Sequence, residues 1–215
     1  MSTRGLMGFR LNGKDKLVYN HSSSYPRGLG DRIGNDLALI LRTPGKGEQW
    51  LRDKVEDLQL VDSDTVPTPE QIERLKPFTN LGVADKSEKD WYCLTHDLQG
   101  DLENTLQAGI AEDSGNFIHD SLFCEWAYIV NLDTRCLEVY KGFQRKPHTN
   151  GRYAVEKPNG MNLGVGTYYS CALVKEVPFE RLCAEILRPE GATDSCWVDE
   201  VLAEKKAAEE AEAAE

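Results

Sequence analysis

The dipeptide Asn12-Gly13, set between two alternating runs of residues, restricts the fold of this chain more than any other feature. Both residue types tolerate the positive φ that a two-residue hairpin turn demands, and that turn matches the twist of paired strands. Before it, Leu6, Gly8 and Arg10 alternate with Met7, Phe9 and Leu11, and after it Lys16 to Asn20 return as a second strand. The chain therefore opens in a β-hairpin. The segment His21-Ser22-Ser23-Ser24-Tyr25-Pro26 is too rich in serine and proline to prolong the strand.

The period then changes. Leu29, Ile33, Leu37, Ile40 and Leu41 recur at helical steps, ended by Thr43-Pro44-Gly45. Trp50, Leu51, Val55 and Leu58 mark a second helix, and Thr68-Pro69-Glu70-Gln71 is a helix start with cap, proline and capping-box glutamine in place. Leu98, Leu102 and Leu106 form a short stripe stopped by Gly109. Strand character resumes at Glu125–Leu132 and Arg135–Lys141, with Asp133-Thr134 as the bend between them. Gly151 to Glu156 and Thr167 to Val174 read as further strands, and Pro178 starts a helix through Leu182. Strands at both ends with helices between them predict an α+β fold: an N-terminal hairpin, central helices and C-terminal antiparallel strands, in a mixed or antiparallel sheet covered by helices. With 215 residues the chain makes one domain, read as 1–198, followed by an acidic Ala/Glu-rich tail, 199–215, that is either a solvated helix or disordered.

Lysine and arginine number 25 against 36 aspartates and glutamates, a net charge of −11, which argues against a nucleic-acid partner. No run is long and apolar enough for a membrane span, and the first residues lack the apolar core of a signal peptide, so the expectation is a cytoplasmic protein. The six cysteines, several in apolar company, read as reduced, buried thiols. Cys93 with His96 and His119 with Cys124 have spacings like those of paired zinc ligands, but core burial is the stronger reading, so no metal and no cofactor is expected.

Two constellations bear on function. Removal of Met1 would expose Ser2, whose hydroxyl can attack a carbonyl while its own α-amine takes the proton. In a hairpin the end of the second strand lies beside the start of the first, so Asn20 could stabilise an oxyanion, His21 orient the amine, and Arg4 help His21 to place a carboxylate-bearing substrate. The second constellation is Arg27-Gly28-Leu29-Gly30-Asp31-Arg32-Ile33-Gly34, a glycine-rich helix entry whose amides, with Arg27 and Arg32, could hold an anion; its third glycine is one place late for a dinucleotide fingerprint.

Ser2-Thr3-Arg4-Gly5 through Phe9, Tyr19-Asn20-His21 to Ser24-Tyr25-Pro26, Asp90-Trp91-Tyr92-Cys93 and Glu125–Tyr128 through Leu137–Tyr140 together resemble an uncharacterised family of phage and bacterial proteins, especially actinobacterial ones. Some of its members begin Met-Cys-Thr-Arg-Gly. That start is similar to the N-terminal nucleophile hydrolases and glutamine amidotransferase-type domains, and this similarity implies an αββα sandwich with a terminal nucleophile, here serine in place of the stronger cysteine. The leading expectation is an amide hydrolase or acyl transferase acting on a small-molecule or peptide-like substrate. The alternative is a non-catalytic phage-type protein, working in the host cytoplasm, that binds a host protein or a small anionic metabolite.

Overall fold

The first turn forms as its residues dictate. Asn12 and Gly13 take φ of 53° and 75°, joining β1 (Gly5–Leu11) to β2 (Lys14–Asn20) in antiparallel register from Gly5↔Asn20 to Leu11↔Lys14. The structure is a computed structural model and describes residues 3–155, 167–186 and 196–212. After a single turn of π-helix at Pro26–Gly30 come α1 (Asp31–Arg42), α2 (Glu48–Asp57), β3 (Gln59–Val61), α3 (Pro69–Leu75), α4 (Trp91–Leu94), α5 (Leu102–Ala108) and β4 (Ile110–Glu112). The second half holds β5 (Trp126–Asn131), β6 (Cys136–Lys141), β7 (Ala172–Pro178), α6 (Phe179–Glu185) and α7 (Trp197–Glu212).

The fold is α+β. Five strands form one mixed sheet in the order β2-β1-β5-β6-β7, while β3 and β4 form a separate parallel pair. The inner pairing β1–β5 is parallel and the other three are antiparallel. That parallel register places the β1–β2 and β5–β6 turns at the same end of the sheet, where one carboxylate ties them together. Asp133 accepts the backbone N–H groups of Asn12 and Gly13, each at 2.8 Å. Those two amides hold its pKa below the usual carboxylate range.

The two faces of the sheet bury different material. Met7, Phe9, Val18, Tyr128, Val130, Leu137 and Val139 lie under Ile33, Leu37 and Ile40 of α1, Leu51 and Val55 of α2, Phe179 and Leu182 of α6, and Trp197 and Val198 of α7. The opposite face carries Leu6, Leu17, Ala127, Ile129 and Tyr140, covered by Ile118 of a 3-10 helix (Gly115–His119) and by Cys124 and Cys171 from irregular backbone. A second large sheet stacked on the first, as an αββα sandwich requires, does not occur among the described residues. Leu75, Trp91, Leu94, Leu98, Ala108 and Ile110 make a satellite core beside the β3–β4 pair.

On the second face the apolar cover gives way to a charged network. Arg152 donates through Nε and Nη2 to both oxygens of Asp15, at 3.0 and 2.9 Å, and through Nη1 to Glu138 and to the Tyr140 hydroxyl. Glu138 also accepts from Asn131 Nδ2 at 2.6 Å. Burial works to raise the pKa of Asp15, but hydrogen bonds from Arg152, Tyr153 and Arg10 outweigh it and hold the group below its ordinary value.

Several local expectations need correction. The strand predicted from Gly151 to Glu156 is turn and irregular backbone over 151–155, with Glu156 outside the described residues. Its Arg152 is spent on the network just described. The strand predicted at Thr167 to Val174 begins only at Ala172. Before it, Tyr169 and Cys171 donate their amides to Gln144 and Ile118 carbonyls, so those β-formers bond to loops and not to the sheet. The segment read as a tail starts inside α7: Val198 and Val201 are buried, and Glu200 pairs with Arg181 and Lys175. The packed body thus reaches past residue 199. All six cysteines are free of disulfides, four of them buried.

Candidate functional site

At the end of the sheet away from the tied turns, β2 runs out at Asn20 and the serine-rich segment turns away from the sheet. Ser24 holds that segment in place. It is fully buried, donates its amide to the Thr3 carbonyl at 3.0 Å, accepts Asn20 Nδ2 on its hydroxyl at 2.7 Å, and offers its carbonyl to the buried Tyr128 hydroxyl at 3.0 Å. Ser23 adopts a left-handed φ of 58°, which lets its carbonyl accept the amide of Leu29 at 2.9 Å. A strained non-glycine residue of this kind persists only where its surroundings over-determine it.

Against this segment packs a second one from far along the chain. The His21 amide donates to Gln99 Oε1 at 2.9 Å, and Arg32 Nη1 donates to the Gly100 carbonyl at 3.1 Å. Gly100 sits at φ 71°, and a Cβ there would come within 2.8 Å of Asn20 Oδ1 and 3.0 Å of Leu29. Only glycine supplies both the left-handed backbone and the closeness of this seam. Between the two segments opens a cleft of about 530 Å³, lined by Asn20, His21, Ser22, Ser23, Gly28, Leu29, Arg32, His96, Asp97 and Gln99. One rim is aromatic: Tyr92 stands edge-on to His21 and His96, with ring centroids 6.2 and 5.6 Å away, and Tyr19 meets His21 Nδ1 at 3.1 Å.

The residues singled out from sequence divide here. Asn20, His21 and Arg32 line the cleft. Ser2 lies outside the described residues. Asn20 is not available as an oxyanion donor in this arrangement, because its Nδ2 already donates to the Ser22 carbonyl and to Ser24 Oγ, at 2.6 and 2.7 Å. Arg4 stacks its guanidinium over the Phe123 ring at 4.7 Å, and Arg27 is ion-paired to Asp199 of α7; neither lines the cleft. The amides of the glycine-rich helix entry are also engaged, Gly28 N with the Tyr25 carbonyl and Leu29 N with the Ser23 carbonyl. The anion cradle expected of that segment is therefore closed, and Arg32 is what remains of it.

His96, Asp97, Gln99, Ser22 and Ser23 complete the lining. His96 stood out in the sequence only as a metal-ligand spacing, and nothing marked Asp97 or Gln99. The supposed zinc residues do not converge: Cys93 Sγ contacts the Val83 carbonyl and Asp90, His119 Nδ1 meets Ser170 Oγ at 2.7 Å, and Cys124 is buried beside Cys171. The metal-type cluster among the described residues is Cys136, Glu138 and Glu176. Its Glu138 is already paired with Arg152, and burial first of all pushes the Cys136 thiol up to about 11.

Asp36, one turn along α1 from Arg32, has its pKa pushed up to about 6, chiefly by burial and then by Asp101, against the pull of Arg32. The Arg32 guanidinium itself hydrogen-bonds the neutral Gly100 carbonyl. Among the described residues no helix is long and apolar enough to cross a membrane. Set against protein-family models, curated proteins and solved structures, the chain matches none of them.

Proposed function

We propose that the chain binds a small polar molecule carrying an anionic group in the cleft between the Asn20–Ser24 segment and the His96–Gly100 segment. The observation that carries this reading is Arg32. In a chain of net charge −11, six of the twelve arginines, Arg10, Arg27, Arg52, Arg135, Arg152 and Arg181, are spent on carboxylates. Arg32 instead lines a concave polar site with one bond to a neutral carbonyl. A guanidinium presents five donors in a planar fork suited to carboxylate or phosphate, so four of them remain for a ligand. Polar groups converging in a preformed cleft are the usual form of a small-molecule site.

The test is thermal unfolding with millimolar phosphate, acetate and free amino acids. A ligand at about 100 times its Kd stabilises by about 2.7 kcal/mol. Arg32→Gln is expected to abolish the shift; an unchanged shift in that variant refutes the reading.

A second reading, amide hydrolysis or acyl transfer by Ser2, draws on one observation. Thr3 gives its carbonyl to Ser24, so the start of the described chain is fastened to the segment that lines the cleft. Ser2 would attack with its α-amine as base, and His21 would orient that amine; the oxyanion donor would have to come from a group other than Asn20. Intact mass decides the first requirement, since Met1 retained on the native protein leaves Ser2 without a free amine. Loss of amidase turnover in Ser2→Ala decides the second.

A further inference from the structure

Resting on the anion-binding reading, we infer that the ligand is a small zwitterion of the free α-amino-acid type, its carboxylate on Arg32 and its ammonium on Asp97. The cleft holds one fixed charge of each sign on separate pieces of backbone: Arg32 in the first turn of α1, and Asp97 in the single 3-10 turn His96–Leu98. They share one cavity, and among the described residues Asp97 pairs with His96 and Arg32 bonds the Gly100 carbonyl. Asp97 Oδ1 meets His96 Nδ1 at 2.9 Å, and its side chain is 54% exposed, which leaves Oδ2 open to an ammonium.

A simple anion in this cavity would gain from Arg32 and be repelled by Asp97. Opposite charges in contact attract measurably even at the dielectric of water. A molecule carrying both charges gains twice where a single ion gains and loses. Neutral groups complete the recognition: Gln99 uses Oε1 on the His21 amide and keeps its Nε2 donors, and the Ser22 and Ser23 hydroxyls line the same space. At about 530 Å³ the cleft has room for an amino acid with a large polar side chain.

The experiment is calorimetric titration of the full chain with the twenty free amino acids, and with the N-acetyl and carboxamide derivatives of any that bind. The expected result is that removing either ligand charge weakens binding at least tenfold. In Asp97→Asn the N-acetyl penalty disappears and the carboxamide penalty stays; in Arg32→Gln the reverse holds. Both side chains are exposed, so circular dichroism serves to confirm that the variants fold. Derivatives that bind within twofold of the parent, or penalties that both variants leave intact, overturn the inference. If phosphate or acetate binds through Arg32 while no amino acid does, the zwitterion is wrong and the anion site stands. If no probe binds, both fall.

Discussion

Arg152→Met should remove more stability than any other single change on the second face of the sheet. The guanidinium is the cation facing two carboxylates, and their exposures differ: the Glu138 side chain is 4% exposed and Asp15 20%. After the change Asp15 keeps Arg10 at 3.0 Å, whereas Glu138 is left with only Asn131 and the Tyr140 hydroxyl, both neutral. Stripping one partner from a buried pair costs about 3–5 kcal/mol because the stranded charge stays desolvated. Against a total of about 5–15 kcal/mol for a domain, the variant should sit near the edge of folding. The assay is urea denaturation followed by tryptophan fluorescence at pH 7, with m-values checked for constancy. The decisive partner is Glu138→Gln. In the Arg152→Met background it removes the stranded charge and should recover at least half of the loss, while alone it costs only about 1–2 kcal/mol. Acid titration gives an independent sign. The depressed pKa of Asp15 contributes stability above its unfolded value near pH 4, and that contribution is lost as pH falls through the folded value. Arg152→Met should therefore flatten the acid limb. A loss below about 1 kcal/mol, or no rescue by Glu138→Gln, would refute the view that this network is held by charge compensation.

Asp36→Asn should act in the opposite direction. With its pKa pushed up to about 6, the native state holds this proton more tightly than the unfolded chain, so stability falls as pH rises from about 4 to 6 and the penalty persists above. Thermal unfolding should show the variant about 1 kcal/mol more stable at pH 7.5, after allowance for solvent screening, and no more stable at pH 4; an equal gain at both would refute it. Gly100→Ala forces a Cβ onto Asn20 Oδ1 at a left-handed φ and should cost about 1–3 kcal/mol, read as a lowered denaturation midpoint together with loss of ligand-induced stabilisation.

Local chemistry was readable from the sequence where a short stretch of chain decides the outcome. The Asn12-Gly13 turn, the Thr68–Gln71 capping box and the stop at Gly109 all occur, with Gly109 left-handed at the end of α5. The misreadings lie where β-forming residues satisfy their backbone elsewhere, as at Tyr169 and Cys171, or where a cation is drawn off by a distant carboxylate. Arg27 and Asp199 are separated by 172 positions, and Arg152 and Asp15 by 137. The cleft shows the same division. Asn20, His21 and Arg32 were found because they flank a strand end and a helix start. Gln99 and Asp97 reach the site only through tertiary contacts across 78 residues or so, which leave no periodic or compositional trace.

The topology explains why the site lies where it does. The parallel β1–β5 register sends both hairpin turns to one end of the sheet, and there Asp133 of the second turn takes the free amides of the first. The opposite end collects strand termini without such a lock: β1 starts at Gly5 opposite Asn20, where β2 ends, and β5 starts beside them at Trp126. Backbone that leaves a sheet in this way must satisfy its polar groups from other segments. Ser24 and Gly100 do so and leave a gap between the segments they hold. A cleft follows from that arrangement of strand ends. The same cleft brings together two residues of opposite charge from distant parts of the chain, Arg32 and Asp97, and the proposed ligand uses both.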